Sequence, residues 1–109
     1  MAAGDVTITL DTKRGVGVDQ QRILGGTVVL DGSNPTPVAL AAYLREIKGA
    51  VVSMEGASAP ADDPSMLSSA VTGTTLNIYA WKNTGGTDPT LVASTDNARL
   101  VNWLAWGRH

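Results

Sequence analysis

The stretch Thr74-Thr75-Leu76-Asn77-Ile78-Tyr79-Ala80-Trp81-Lys82 decides the fold of this chain. Leu76, Ile78 and Ala80 alternate with Thr75, Asn77, Tyr79 and Trp81. That period of two marks a half-buried β-strand, because successive side chains point to opposite faces. Gly73 precedes the stretch, and Asn83-Thr84-Gly85-Gly86-Thr87-Asp88-Pro89 follows it as a hairpin-type loop.

Working outward, the same pattern recurs. Ala98 to Trp106 reads as a strand with Leu100, Leu104 and Trp106 on one face and Val101, Trp103 and Ala105 on the other. Leu91 to Ala93 reads as a short edge strand, and Met66 to Thr72 holds a brief one. Ala50 to Glu55 is a strand with Val51 and Val52 on opposite faces. Arg22 to Leu30 places Leu24, Val28 and Leu30 on one face. Its Gly25-Gly26 interruption predicts a bulge or the close approach of another backbone. Near the start, Val6, Ile8 and Leu10 alternate with Thr7, Thr9 and Asp11.

One segment changes period. Thr36 can cap a helix, and Pro37 suits a first helical position. Leu40, Tyr43, Leu44 and Ile47 then recur at helical spacing, and Gly49 follows where a left-handed residue is wanted. The spacing predicts one short helix over about 37–47. The fold expected is therefore mainly β: a small antiparallel β-sandwich or barrel with one short α-helix. A single β-rich domain is expected over residues 1–109, with a flexible N-terminal arm at about residues 1–5. No internal repeat or dividing linker is present.

Size and composition narrow the function. A chain of 109 residues buries roughly two-thirds of its unfolded surface, enough for one modest core. Charged residues make up 17%, below the roughly 25% usual in soluble domains, and oligomerisation is a common remedy for a thin core. The net charge is −2, and the eight Lys and Arg residues are scattered, with Lys13-Arg14 the only basic doublet. Nucleic acid is thus not the expected partner, since its binding needs a basic stripe. No stretch approaches the 18 or so apolar residues of a membrane span, so no membrane is expected either. Met1-Ala2-Ala3-Gly4-Asp5 lacks the basic and apolar regions of a secretory signal, which places synthesis inside a cell. The absence of cysteine suits a reducing cytosol and removes thiol chemistry and disulfides.

Chemistry finds little purchase. Asp62 and Asp63 could be calcium ligands or an acid/base pair, but no further oxygen ligands continue the series, and a solvated turn before Pro64 explains them. Gly15-Val16-Gly17 and Gly85-Gly86 lack the Gly-x-Gly-x-x-Gly form and the strand–helix setting of a dinucleotide loop. His109 is the only histidine and closes the sequence, so the many Ser and Thr hydroxyls have no internal imidazole base. No cofactor, metal or catalytic residue is expected, and the protein reads as a non-enzyme.

The aromatics carry the remaining signal. Trp81, Trp103 and Trp106 are three of five aromatic residues, and two of them fall on opposite faces of the last strand. Either a second layer covers both faces, or one Trp, with Tyr79 or Trp81, anchors a contact with another chain. Tyr79, Trp81, Trp103 and Trp106 are therefore the candidate interface residues.

The order of segments resembles a known group. The opening Val-Thr-Ile-Thr-Leu-Asp strand leads to Arg22-Ile23-Leu24-Gly25-Gly26-Thr27-Val28-Val29-Leu30. The chain closes with Ala98-Arg99-Leu100-Val101-Asn102-Trp103-Leu104-Ala105-Trp106-Gly107-Arg108. This is similar to small tailed-bacteriophage head structural proteins. Those proteins pair a strand ending in Gly-Thr-(Val/Ile)-x-(Leu/Phe) with a closing apolar strand and a Gly-Arg end. The likeness covers most of the chain, and its motifs are loose sheet patterns. It implies a capsid decoration (cement) protein: small, β-rich, favouring a homotrimer, and bound to the major capsid protein on the outer face of the expanded shell. It implies location at the virion surface after synthesis in the host cytoplasm, and no catalytic positions. The arm at residues 1–5 would then be free to add to a neighbouring sheet edge. One departure is the Ala-, Pro- and Asp-rich loop of residues 56–65, longer than the group leads one to expect. Other readings are a head-fibre, neck or tail accessory protein, or a cellular carbohydrate- or peptide-binding β-sandwich using Asn77, Tyr79 and Trp81.

Overall fold

The computed structural model describes residues 2–12, 21–56, 66–83 and 91–108. Among them are eight strands: β1 (Val6–Asp11), β2 (Gln21–Val29), β3 (Thr36–Ala39), β4 (Glu46–Met54), β5 (Met66–Thr72), β6 (Thr75–Asn83), β7 (Leu91–Ala93) and β8 (Leu100–Arg108). A first sheet runs β1-β2-β8-β4, and a second runs β3-β6-β5. β7 pairs with β6 on the edge shared with β3, since Trp81 faces Ala93 on one side and Met66 of β5 on the other. Every pairing is antiparallel. The protein is mainly β, with two sheets facing one core.

The period-two patterns explain how that core fills. Leu24, Val28, Val101, Trp103 and Ala105 turn inward from the first sheet, and Val38, Leu76, Ile78 and Ala80 from the second. Leu30, Leu40, Leu44 and Ile47 complete the cluster. Full burial of such a side chain contributes about 1.5–3 kcal/mol, so this alternation is the main stabilising term.

The helix expected over 37–47 does not form. Thr36–Ala39 is instead an edge strand whose Thr36 and Val38 are buried while Pro37 and Ala39 face out. An edge strand tolerates proline because one row of its amides needs no partner. A single turn follows, in which Tyr43 N and Leu44 N both donate to Leu40 O, at 3.0 and 2.9 Å. Leu40 and Leu44 enter the core from that turn, and Ile47 enters it from β4. The helical spacing was real as a pattern of burial, but strand, turn and strand supply it in succession. A helix of this length is marginal alone, and pairing with β6 outweighs its local preference.

The central pair β2–β8 is flanked by two irregular strands. β1 shifts register between Ile8 and Leu10, and β4 shifts between Ile47 and Gly49. Each shift lies beside a glycine of the central pair: Gly26 opposite Ile8, and Gly107 opposite Ile47. A Cβ on Gly26 would overlap the carbonyl oxygen of Thr7, and one on Gly107 would overlap that of Glu46. Gly26 of the Gly25-Gly26 pair thus marks the close approach of a neighbouring backbone, while the irregularity itself falls in β1.

Three side-chain devices join these parts. In the gap between β3 and β7, Asn34 Oδ1 accepts from Ala80 N at 2.8 Å, and Ser94 N donates to Ala80 O at 2.8 Å. The seam along β6 is therefore hydrogen-bonded without a continuous partner strand. Buried Thr36 donates its hydroxyl to Asp31 Oδ1 at 3.0 Å and accepts from Asp31 N at 3.2 Å. Arg22 Nε and Nη2 each reach Asp11 at 2.8 Å, and Nη1 donates to Tyr43 O at 2.9 Å. The Tyr43 ring lies 5.5 Å from the guanidinium. This cluster links β1, β2 and the 41–43 turn, and its hydrogen bonds to Asp11 raise the Arg22 guanidinium above its ordinary value. At the N-terminus, the segment expected as a free arm makes a turn, with Gly4 N donating to Val29 O at 2.9 Å and Val29 N to Asp5 O at 3.0 Å.

Gly26→Ala is expected to push β1 off the sheet. An overpacked site of this kind costs about 1–3 kcal/mol, a drop of about 5–20 °C in melting temperature for a domain this size. Thermal unfolding followed by circular dichroism measures it. An unchanged melting temperature would mean that β1 shifts aside freely.

Candidate binding surfaces

The registers place the outward side chains of the first sheet in rows. Leu10 of β1, Gly25 of β2, Leu104 of β8 and Val51 of β4 lie side by side. The next row holds Ile23, Trp106 and Gly49. Val51 is 54% exposed, Leu10 46% and Ile23 40%, while Leu104 and Trp106 are half-buried. A Cβ on Gly49 would overlap Cζ2 and Cε2 of Trp106, so the indole lies directly over that glycine. A groove of about 290 Å³ runs beside Val51, Ser53, Asn102 and Leu104. Toward one end the face becomes polar, through Thr7, Thr27, Asn102 and Ser53 in one row. At the other end stand the facing pair Glu46 and Arg108, both exposed. An apolar centre with a polar rim is the anatomy of a protein–protein contact.

The outward face of the second sheet differs. Tyr79 and Trp81 stand on neighbouring outward positions of β6, with ring centroids 6.1 Å apart and planes within 10°. Trp81 Nε1 donates to Ser68 Oγ at 2.8 Å. Ser68 is the β5 residue opposite Tyr79, so the indole reaches back along the sheet toward that ring. Asn77 Nδ2 donates to Thr72 Oγ1 at 3.2 Å.

The four aromatic candidates therefore separate. Tyr79 and Trp81 share one outward face, and Trp106 lies on the opposite one. Trp103 is 3% exposed in the core, which is the covered alternative of the two the sequence left open for the last strand. Its inward direction follows from the register with Gly26 and Val52, and the second sheet covers it. Its Nε1 is buried without a hydrogen-bond partner among the described residues. Leu10, Ile23, Leu104 and Val51 escaped the sequence reading as a group. Alternation shows that each faces outward or inward along its own strand, but only cross-strand register shows that they meet.

Charged and polar clusters offer less. Beside the Arg22 cluster lies an open cavity of about 540 Å³ lined by Ala42, Leu44, Arg45 and Thr74. Arg22, which also lines it, donates two hydrogen bonds to Asp11 and one to Tyr43 O. Among the described residues, no group of three or more His, Cys, Asp or Glu could hold a metal ion. Lys13-Arg14, Gly15-Val16-Gly17, Asp62-Asp63, Gly85-Gly86 and His109 lie outside the described residues, as does most of the 56–65 loop. Comparison with protein-family models, curated proteins and solved structures finds no match to this chain.

Two substitutions distinguish core from surface. Trp103→Ala is expected to cost about 3–5 kcal/mol, whereas Trp103→Phe keeps most of the ring, removes the unpartnered N–H and stays within about 1.5 kcal/mol of the parent. Urea unfolding measures both, and equal losses would show that the indole N–H is satisfied. Val51→Lys, at an exposed outward position, is expected to change stability by no more than about 1 kcal/mol.

Proposed function

We propose that this protein is a non-enzymatic virion structural protein that binds the outer surface of a tailed-phage capsid and stabilises the shell. In this reading it is a decoration or cement protein with the outline of a small β-sandwich, made in the host cytoplasm and carried on the virion. Its partners are the major capsid protein and copies of itself, with a homotrimer favoured. The observation that carries the reading is the outward face of the first sheet, where Leu10, Ile23, Val51, Leu104 and Trp106 form one apolar surface on a small domain. Covering that surface would remove apolar area from water at about 25 cal/mol per Å². Trp106, braced over Gly49, has the character of an anchor residue. The resemblance of the first and last strands to phage head proteins supplies the identity of the partner. Repetition over a shell would turn modest single contacts into firm attachment.

Co-sedimentation of the purified protein with empty, expanded phage shells tests this. Saturable binding at a fixed ratio to capsid subunits is expected, and Val51→Lys is expected to abolish it while remaining folded. Sedimentation equilibrium is expected to give three times the 11.3 kDa chain mass. A well-folded protein that does not bind mature shells would overturn the decoration role.

A further inference from the structure

The second sheet carries a separate feature, on the side of the core away from the apolar surface. Lys82 is the only charged residue in β3, β5, β6 and β7, and it falls on an inward position of β6. The outward face is thus uncharged across the width of the sheet. Its centre holds the parallel Tyr79 and Trp81 rings, and its remaining functional groups are hydroxyls and an amide from Ser68, Thr72, Thr75 and Asn77. The Trp81 indole is held by Ser68 Oγ, and Asn77 is held at one N–H by Thr72. That leaves the Asn77 Oδ1 acceptor and its second N–H directed at no partner among the described residues.

We infer that this face binds neutral carbohydrate, through stacking of pyranose rings on Tyr79 and Trp81 and hydrogen bonds to Asn77. A pyranose presents an apolar C–H face and a perimeter of hydroxyls, and it bears no charge. The Tyr79 and Trp81 rings are stacked on each other, so a pyranose can stack only on a ring face turned away from that contact, and the amide can exchange donors and acceptors with a hydroxyl. Nucleic acid bases also stack on such rings, but their phosphates require a cationic track, which this face lacks. Met66, Ala70, Pro37 and Ala39 also face outward on this sheet and add apolar surface around the rings, while the absence of charge on this face offers a protein partner no ion pair at the rim. The inference is independent of shell attachment, because the two faces belong to different sheets.

Titration of the intact protein with cellohexaose and chitohexaose, followed by ¹H–¹⁵N spectra that resolve the three indole N–H signals, tests the assignment. Saturable shifts are expected at the Trp81 indole and the Asn77 amide for at least one probe, with the Trp103 and Trp106 indoles unmoved. Trp81→Ala is expected to weaken that binding at least tenfold, and Asn77→Ala about threefold. Should Trp81→Ala fail to fold, Asn77→Ala and Trp81→Phe, which keep an aromatic ring in place, carry the comparison. Val51→Lys is expected to bind the oligosaccharide as the parent does, and Trp81→Ala to bind shells as the parent does. No saturable shift with either probe, or binding equally strong in Asn77→Ala and Trp81→Ala, would overturn the inference.

Discussion

The antiparallel pairing of β2 with β8 is the constraint on which the rest of the described structure depends. It runs through nine consecutive partners, from Gln21 with Arg108 to Val29 with Leu100. β1 joins the first sheet only through β2, and β4 only through β8. The inward side chains of this pair, Leu24, Val28, Val101, Trp103 and Ala105, belong to the core cluster against which the second sheet packs. Because the partners come from opposite ends of the sequence, the loop they close is long and its entropy must be met before most of the core can form. Gly26 and Gly107 fall within the pair because the flanking strands crowd it from both sides.

Charge is distributed unevenly between the layers, and this gives the two outward faces their different character. On the outward face of the first sheet the charged pair Glu46 and Arg108 stands at one end beside Leu10, Ile23, Leu104 and Val51, whereas Asp11 and Arg22 take inward positions and pair with each other. The second sheet has Lys82 alone as a charge, and its strands carry hydroxyls, the asparagines Asn77 and Asn83, and two aromatic rings instead. A surface of aliphatic groups with a charged pair at one end favours another folded protein. A neutral surface with parallel rings favours a ligand that is itself neutral and partly apolar.

Much of the fold was legible because the strongest signals were strand alternations that tertiary structure had no reason to override. β6, β8 and the body of β2 lie where period two placed them, and β1 does so in its range, though its alternation breaks between Ile8 and Leu10. Residues 37–47 misled because Leu40, Leu44 and Ile47 all reach the core, and burial at that spacing is what a helix would also show. The competing alternation of Thr36, Val38 and Leu40 was only three residues long, and Pro37 fitted both an edge strand and a helix start. The aromatic sites were half legible. Opposite faces for Trp103 and Trp106 followed from parity along one strand, but which face was inward depended on where the second sheet lay. The apolar rows of the first sheet could not be read at all, since the shift between Ile8 and Leu10 moves Leu10 to the outward face and nothing local marks it.

Both outward tryptophans are braced before any partner arrives. Trp106 rests over Gly49, the one residue type that leaves room beneath its ring, and Trp81 is oriented by Ser68. A side chain that is already ordered loses little rotamer freedom when it is covered, so more of its contact area contributes to affinity. In a domain with one modest core, such bracing has a second effect. The strands that carry the rings, β8 and β6, are also the strands whose inward residues fill that core. Ring position on either face is therefore tied to the packing between the sheets, and a small fold can hold two chemically distinct surfaces in fixed geometry without a second domain.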